Sequence, residues 1–188
     1  MLMSAALIVS LTACGAVTDT LAAASVILNS AAGILATPDP SVSILLMAAS
    51  NDVTTASSLY TQWQAAAATD KPGLAGQLEA LDQTITAKLD QVLSLVAVKD
   101  PTLVEEVTTA VGIANAAIGA IIAIVTINAA TPAQAAKVVP SAFTDTPPKV
   151  QPSRNNLPSY SGQLDAKHVK AAWNTVAKKH GHLNSIVK

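Results

Sequence analysis

The sequence has few aromatic residues, few charged residues and a single cysteine. Aromatic side chains make up 3% of its 188 residues and charged side chains 12%, and Cys14 is the only thiol. A chain so poor in aromatics is unlike most enzyme cores. Its 51% hydrophobic content excludes a disordered chain. Because alanine, the strongest helix former, supplies the largest share of that content, the composition favours an all-α protein.

Residue sets that carry catalysis or bind metals are missing as well. The chain contains no H-E-x-x-H, no G-x-S-x-G and no glycine loop that would cradle a phosphate. Glu105 and Glu106 are adjacent, so on a helix they point to different sides and suit a favourable first turn better than acid–base catalysis. His180 and His182 lack cysteine partners and a carboxylate at ligand spacing, which predicts exposed side chains in a frayed end. We therefore expect no enzymatic activity, no cofactor and no metal site.

The charge that is present is unevenly distributed along the chain. Residues 1–136 carry ten acidic side chains and three lysines, whereas residues 137–188 carry eight basic side chains, two acidic ones and all three histidines. An acidic body with a basic tail is typical of a protein that contacts an anionic surface, although it also serves solubility alone.

Cys14 ends a short apolar stretch at the N-terminus. Residues 1–9 are almost wholly apolar and are followed by small residues, a pattern that resembles a secretory signal and is too short to span a bilayer. Leu11-Thr12-Ala13-Cys14 resembles the lipobox of bacterial lipoproteins. The resemblance implies that residues 1–13 are a signal peptide cleaved before Cys14. It also implies that Cys14 carries acyl chains such as palmitate, two or three of which make a stable anchor.

The residue that follows this cysteine bears on the location of the protein. By analogy with enteric lipoproteins, Gly15 in place of aspartate favours the outer membrane, on its periplasmic side or its surface, if the host has one. The alternative interpretation of Cys14 is a small buried thiol in a helix.

Prolines divide the next part of the chain into helices. Asp39-Pro40, Asp70-Lys71-Pro72 and Asp100-Pro101 each place an acidic cap before a proline in a first helical turn. These signals predict helices at about 16–36, 41–68, 73–98 and 102–130. The third has the clearest apolar stripe, made of Leu74, Leu78, Leu81, Ile85, Leu89, Val92 and Val96. Short connections between long amphipathic helices predict an antiparallel up-down four-helix bundle over residues 14–131.

The helix predicted at 102–130 has two interpretations. Residues 107–136 carry no charge, and Gly112, Ala116 and Ala120 form a ridge of small residues like those of packed membrane helices. Thr108, Asn115 and other polar residues interrupt the stretch, which suits the central helix of a soluble bundle instead. Both interpretations stay open on the sequence alone.

The remainder of the chain predicts a linker and one more helix. Six prolines lie within residues 132–161, which predicts an extended, exposed, proline-rich linker. Residues 162–188 regain helical character to about Lys179. One face is apolar and bears a tryptophan, and lysines surround it. The candidate contacts with an anionic surface are Lys167, Lys170, Trp173, Lys178 and Lys179. The alternative is that this short helix packs on its own acidic bundle.

These features together predict a lipid-anchored protein of the bacterial cell envelope. It would act as a non-enzymatic tether or interaction module, with membrane lipid as one partner through acylated Cys14 and an anionic envelope surface or an acidic protein as another. The tail lacks interleaved aromatics and arginine clusters, so no nucleic-acid partner is expected. The second hypothesis is a membrane-inserting, oligomerising protein, such as a pore or an exclusion factor, that uses the apolar helix at 102–130.

Overall fold

The protein is all-α over the residues described. The computed structural model describes residues 4–99, 103–129 and 157–188, with side chains described for 15–97, 103–126 and 157–188, and it has no strand in these ranges. The helices are α1 (Ser4–Leu35), α2 (Pro40–Ala65), α3 (Lys71–Lys99), α4 (Val104–Ala129) and α5 (Ala166–Lys179), followed by a 3-10 turn at Leu183–Ser185. The all-α prediction is confirmed.

The start of α2 follows from the proline signal in the sequence. Asp39 is the N-cap and its side chain accepts a hydrogen bond from the Val42 amide at 3.3 Å. Pro40 occupies the first helical position, where its missing N–H costs nothing. The predicted cap at Asp100 lies outside the described residues.

Helix α1 begins earlier than the sequence analysis placed it. A start near residue 16 was expected, but the helix runs without a break from Ser4 through Cys14 to Leu35. The stretch is rich in alanine and leucine and contains no proline before Pro38, so nothing local ends the helix at Cys14.

Four of the helices pack side by side, in contacts consistent with a bundle. Helix α1 contacts α2 and α4, and α3 also contacts α2 and α4. The predicted stripe of α3 faces this core: five of its seven members are buried and the other two, Leu74 and Leu81, pack partly buried against the core.

Helix α4 is buried around most of its circumference. Its buried apolar residues are Val107, Ala110, Val111, Ile113, Ala114, Ala117, Ile118, Ala120, Ile121 and Val125. The polar side chains of Glu106 and Asn115 are buried too, with 1% and 6% of their surface exposed. Helix α4 therefore has packing partners on several sides.

A small polar cluster joins α1 to α2 inside this core. The Ser25 and Ser50 hydroxyls lie 2.8 Å apart, Ser50 Oγ donates to the Ser25 carbonyl at 2.9 Å, and Thr54 Oγ1 lies 3.0 Å from Ser25 Oγ. Buried hydroxyls that satisfy one another in this way fix the register of the two helices.

The C-terminal segment, residues 157–188, lies against α1 and α4. Leu157 is buried, the Tyr160 amide donates to the Gly112 carbonyl at 3.0 Å, and Asn115 Nδ2 donates to the Pro158 carbonyl at 3.1 Å. Of the predicted linker at 132–161, residues 157–161 are described, and among them Ser159 and Ser161 are exposed, whereas backbone groups of Pro158 and Tyr160 find partners on α4. Residues 132–156 lie outside the described residues.

Candidate functional site

The predicted lipidation site, Cys14, lies within α1. Its side chain is outside the described part of the chain. The first described core residue of α1 is Val17, which is 2% exposed, and the core face continues to Leu35.

The lysines predicted to contact an anionic surface have different environments. Lys167 and Lys178 are exposed on α5. Lys170 Nζ instead donates to the backbone oxygen of Lys188 at 2.9 Å, and Lys179 Nζ forms an ion pair with Glu105 at 2.7 Å. The structure therefore leaves Lys167 and Lys178 turned outward and brings Lys170 and Lys179 to partners within the chain.

The environment of Trp173 differs from the predicted surface contact. The tryptophan was expected to face a lipid or protein surface, but it is completely buried, and its indole Nε1 donates to the Ser185 carbonyl at 2.8 Å. Asn174 adds two hydrogen bonds to the backbone of Val187, which is also buried. The last residues of the chain thus fold back over α5 and cover the tryptophan. The alternative interpretation, in which α5 packs on its own body, matches these contacts.

Helix α5 is placed by contacts at both of its ends. Asp165 is its N-cap and accepts a hydrogen bond from the His168 amide at 2.9 Å. Just before this cap, the Leu164 carbonyl accepts a hydrogen bond from Thr20 Oγ1 on α1 at 3.4 Å. The other end of α5 meets the first turn of α4, where the carboxylates of Glu105 and Glu106 lie.

These carboxylates belong to what we call the Glu–His cluster: Glu105, Glu106, Lys179, His180 and His182. His180 Nε2 lies 3.0 Å from Glu105 Oε2, and His180 Nδ1 lies 3.5 Å from Glu106 Oε1. His182 Nε2 reaches the same Glu106 oxygen at 3.4 Å. The cluster brings basic groups of the C-terminal segment onto acidic groups of α4.

The two glutamates of the cluster differ in their surroundings. Glu105 keeps 45% of its side chain exposed, and hydrogen bonds from Lys179 and His180 hold its pKa below the usual value. Glu106 is 1% exposed, and neither of its carboxylate oxygens accepts a hydrogen bond. The two histidines keep about 30% of their side chains exposed. The two histidine rings therefore lie between the buried Glu106 carboxylate and the solvent.

The cluster holds ion pairs and not a metal centre. Across the described ranges, no group of three or more His, Cys, Asp or Glu side chains is arranged to hold a metal ion. His180 is exposed, as predicted, and His182 is partly exposed, but the end of the chain is not frayed, because the segment folds back and both rings face α4. The charge asymmetry of the sequence pointed to such an attraction, but not to the residues involved.

Two shallow grooves run along the exposed stripe of α1. Ala22 and Val26 line both of them, and Val26 leaves 46% of its surface exposed. One groove is closed on its far side by the C-terminal segment and the other by hydroxyl-bearing residues of α2. Neither groove brings together groups that would act on a substrate.

Within the part of the chain that the structure describes, two stretches are long and apolar enough to cross a membrane, judged by length and composition. They are Gly15–Leu35 in α1 and Val104–Thr126 in α4. In this structure half or more of each stretch is buried inside the protein. They are also the two helices against which the C-terminal segment packs. Comparison with protein-family models, with curated proteins and with solved structures found no match for this chain.

Proposed function

We propose that this protein is a lipid-anchored, non-enzymatic interaction module of the bacterial cell envelope, in which Cys14 carries the acyl anchor. The observation that carries the proposal is the sequence Leu11-Thr12-Ala13-Cys14 at the end of a short apolar run. Cleavage before Cys14 would remove residues 1–13.

The body of the module is, in this proposal, an antiparallel up-down four-helix bundle. Cross-helix contacts support it. Later residues of α1 contact earlier residues of α2: Ser25 contacts Ser50, and further along α1 the Ala32 carbonyl accepts a hydrogen bond from the Ser43 hydroxyl. The two helices therefore run in opposite directions. Helices α2 and α3 are also antiparallel by this criterion. Asp52 pairs with Lys88, and further along α2 the ring of Trp63 has Lys71 Nζ 4.6 Å from its centre.

In this arrangement one end of the bundle would face the membrane and the other end would point away from it. Cys14 would lie at one end of the bundle and Leu35 at the other, about 30 Å away at 1.5 Å per residue. The first turn of α4 and the Glu–His cluster then lie at the end away from the membrane. The folded-back C-terminal segment favours a compact interaction module over a tether whose tail reaches outward.

The test is the mass of the N-terminal peptide of the mature protein from membranes of a bacterial host. We expect a peptide that begins at Cys14 and carries acyl chains, and we expect Cys14→Ala to abolish both cleavage and acylation. Gly15→Ala is the matched control, because a methyl group there meets nothing within 4 Å. An unmodified peptide beginning at Met1 in the unsubstituted protein would refute the anchor.

A second candidate function is membrane insertion through α1 and α4. It is favoured by one observation, namely that these two helices contain the stretches long enough to cross a bilayer. Carbonate extraction of Cys14→Ala separates the two proposals. A protein that is released by carbonate depends on its acyl anchor, whereas one that resists extraction and makes liposomes leak dye has inserted helices.

A further inference from the structure

The Glu–His cluster contains a carboxylate in an unusual position. Glu106 is 1% exposed and accepts no hydrogen bond, yet His180 Nδ1 and His182 Nε2 lie 3.5 and 3.4 Å from its Oε1. A buried carboxylate is costly unless a charge or a hydrogen bond compensates it. Among the described residues, His180 and His182 lie close enough to the Glu106 carboxylate to supply that charge.

The groups that face Glu106 can be named from each neighbouring element. Glu105 is adjacent on α4 and is itself paired with Lys179 and His180. The C-terminal segment supplies His180 and His182. Among the side chains described on α1, α2 and α3, none forms an ion pair with Glu106. Histidine is the side-chain type that responds to pH in the physiological range, so His180 and His182 are the groups on which a pH-dependent contact with Glu106 would depend.

We propose that the Glu–His cluster is a pH-sensitive latch that holds the C-terminal segment over α1 and α4. Histidine is the side chain whose charge changes in the physiological pH range, and charged rings at positions 180 and 182 would compensate the Glu106 carboxylate. With uncharged rings, Glu106 stays buried without compensation. The latch is closed in mildly acidic surroundings and weakens towards neutral and alkaline pH.

The latch controls access to an apolar surface. The buried apolar side chains of the C-terminal segment are Leu157, Leu164, Val169, Trp173, Ala177 and Val187. They cover α1 and α4, the two most apolar helices of the body. Opening the latch therefore exposes apolar surface on these two helices. The proposal concerns the folded chain and does not depend on acylation of Cys14.

The opening of the segment is measured through Trp173. The chain has two tryptophans, so Trp63→Phe in the full-length protein leaves Trp173 as the only one. We expect acrylamide to quench Trp173 weakly at pH 5.5 and more strongly at pH 8. Loss of a charged interaction with a buried group changes an opening equilibrium about tenfold or more. Amide hydrogen exchange of α5 in the unsubstituted protein, corrected for the intrinsic effect of pH, should show the same trend.

Substitutions in the cluster identify the groups responsible. Glu106→Gln removes the charge that needs compensation, so quenching should become independent of pH between 5.5 and 8. His180→Gln combined with His182→Gln should make the protein at pH 5.5 behave as the parent does at pH 8. Lys178→Gln is the matched control: it removes a charge from the last turn of α5, where no contact joins Lys178 to the glutamates, and should leave the pH dependence unchanged. Far-UV circular dichroism verifies that each variant is folded.

Three outcomes would overturn the latch. Quenching and exchange that do not change with pH would show that the histidine charge does not hold the segment. A segment that opens on acidification would show that Glu106 is held as a neutral acid. A pH dependence that persists in Glu106→Gln would assign the effect to other groups. None of these results bears on whether Cys14 is acylated, so they leave the lipid anchor to its own test.

Discussion

At the scale of single residues, the C-terminal segment shows how one side chain can suit two opposite environments. A tryptophan among lysines is typical both of a helix on a lipid surface and of a helix that buries one apolar face. Trp173 is buried because residues 182–188 return along α5 and the Ser185 carbonyl accepts its indole N–H. That partner is 12 residues away in the sequence, and local pattern carries no signal for it.

The burial of Trp173 predicts a large cost for removing its ring. Trp173→Ala is expected to lower the free energy of unfolding by about 3–5 kcal/mol, the usual range for a buried tryptophan. Trp173→Phe keeps most of the packing and loses the hydrogen bond to Ser185, so about 1 kcal/mol is expected. Urea unfolding followed by circular dichroism measures both.

The control for these two variants lies on the same helix. Thr175 is exposed, and its hydroxyl only donates to the Ala171 carbonyl within α5. Thr175→Ala should therefore change the stability by less than about 0.5 kcal/mol. If Trp173→Ala cost no more than this control, the buried position of the tryptophan would be contradicted.

At the scale of helices, apolar periodicity determined most of what was predicted correctly. The stripe of α3 is regular, and its central members, Ile85, Leu89 and Val92, are at most 1% exposed. On α2 the helical spacing of the sequence groups seven residues on one face, of which five are buried and Leu45 and Leu59 are partly buried: Val42, Leu45, Ala49, Val53, Ala56, Leu59 and Trp63. The buried face of α2 also includes Leu46 and Tyr60. A helix in contact with two neighbours buries a wider arc than a single stripe.

Core packing should contribute more to α3 than its ion pair does. Leu89→Ala is expected to lower the free energy of unfolding by about 2–5 kcal/mol, because the side chain is completely buried. Lys88→Ala breaks the ion pair with Asp52, but both partners are partly exposed, so a loss below about 1 kcal/mol is expected. Thermal or urea unfolding of this adjacent pair tests the ranking, and an equal cost would contradict it.

Helix ends were predictable where the signal was local. Asp39-Pro40 begins α2 as expected, because cap and proline act within a single turn. The start of α5 was placed four residues early, at 162 instead of Ala166. Residues before the Asp165 cap are held by contacts with α1 and α4, such as the bond from Thr20 to Leu164, so helical propensity did not decide their conformation.

At the scale of the whole molecule, the acidic body and the basic tail meet within one chain. The sequence suggested an external anionic partner for the tail, whereas Lys179, His180 and His182 face Glu105 and Glu106. Charge composition predicts attraction between two regions, but it cannot tell whether the partner is the same chain or another surface.

This internal docking predicts that the C-terminal segment stays bound after the chain is cut. Trypsin is expected to cleave the proline-rich stretch at Lys137, Lys149 or Arg154. Because Leu157, Trp173 and other apolar side chains of the segment are buried, the fragments should elute together in size-exclusion chromatography at pH 5.5. Mass spectrometry of the peak identifies the fragments. Separate elution at this pH would mean that the covalent connection, and not the packing, holds the segment in place.

The sequence by itself determined the helical class, the approximate extents of α2, α3 and α4, the apolar faces of α2 and α3, and the lipobox resemblance on which the proposed function rests. All of these depend on residues within a few turns of one another. Only the tertiary structure decided that α5 and residues 157–161 lie on α1 and α4, that Trp173 is buried, and that His180 and His182 face a buried Glu106. The contacts that hold these groups join residues from 12 positions apart in the chain, as Trp173 and Ser185 are, to 75, as Glu105 and His180 are. Their energy depends on shared burial that no local pattern encodes.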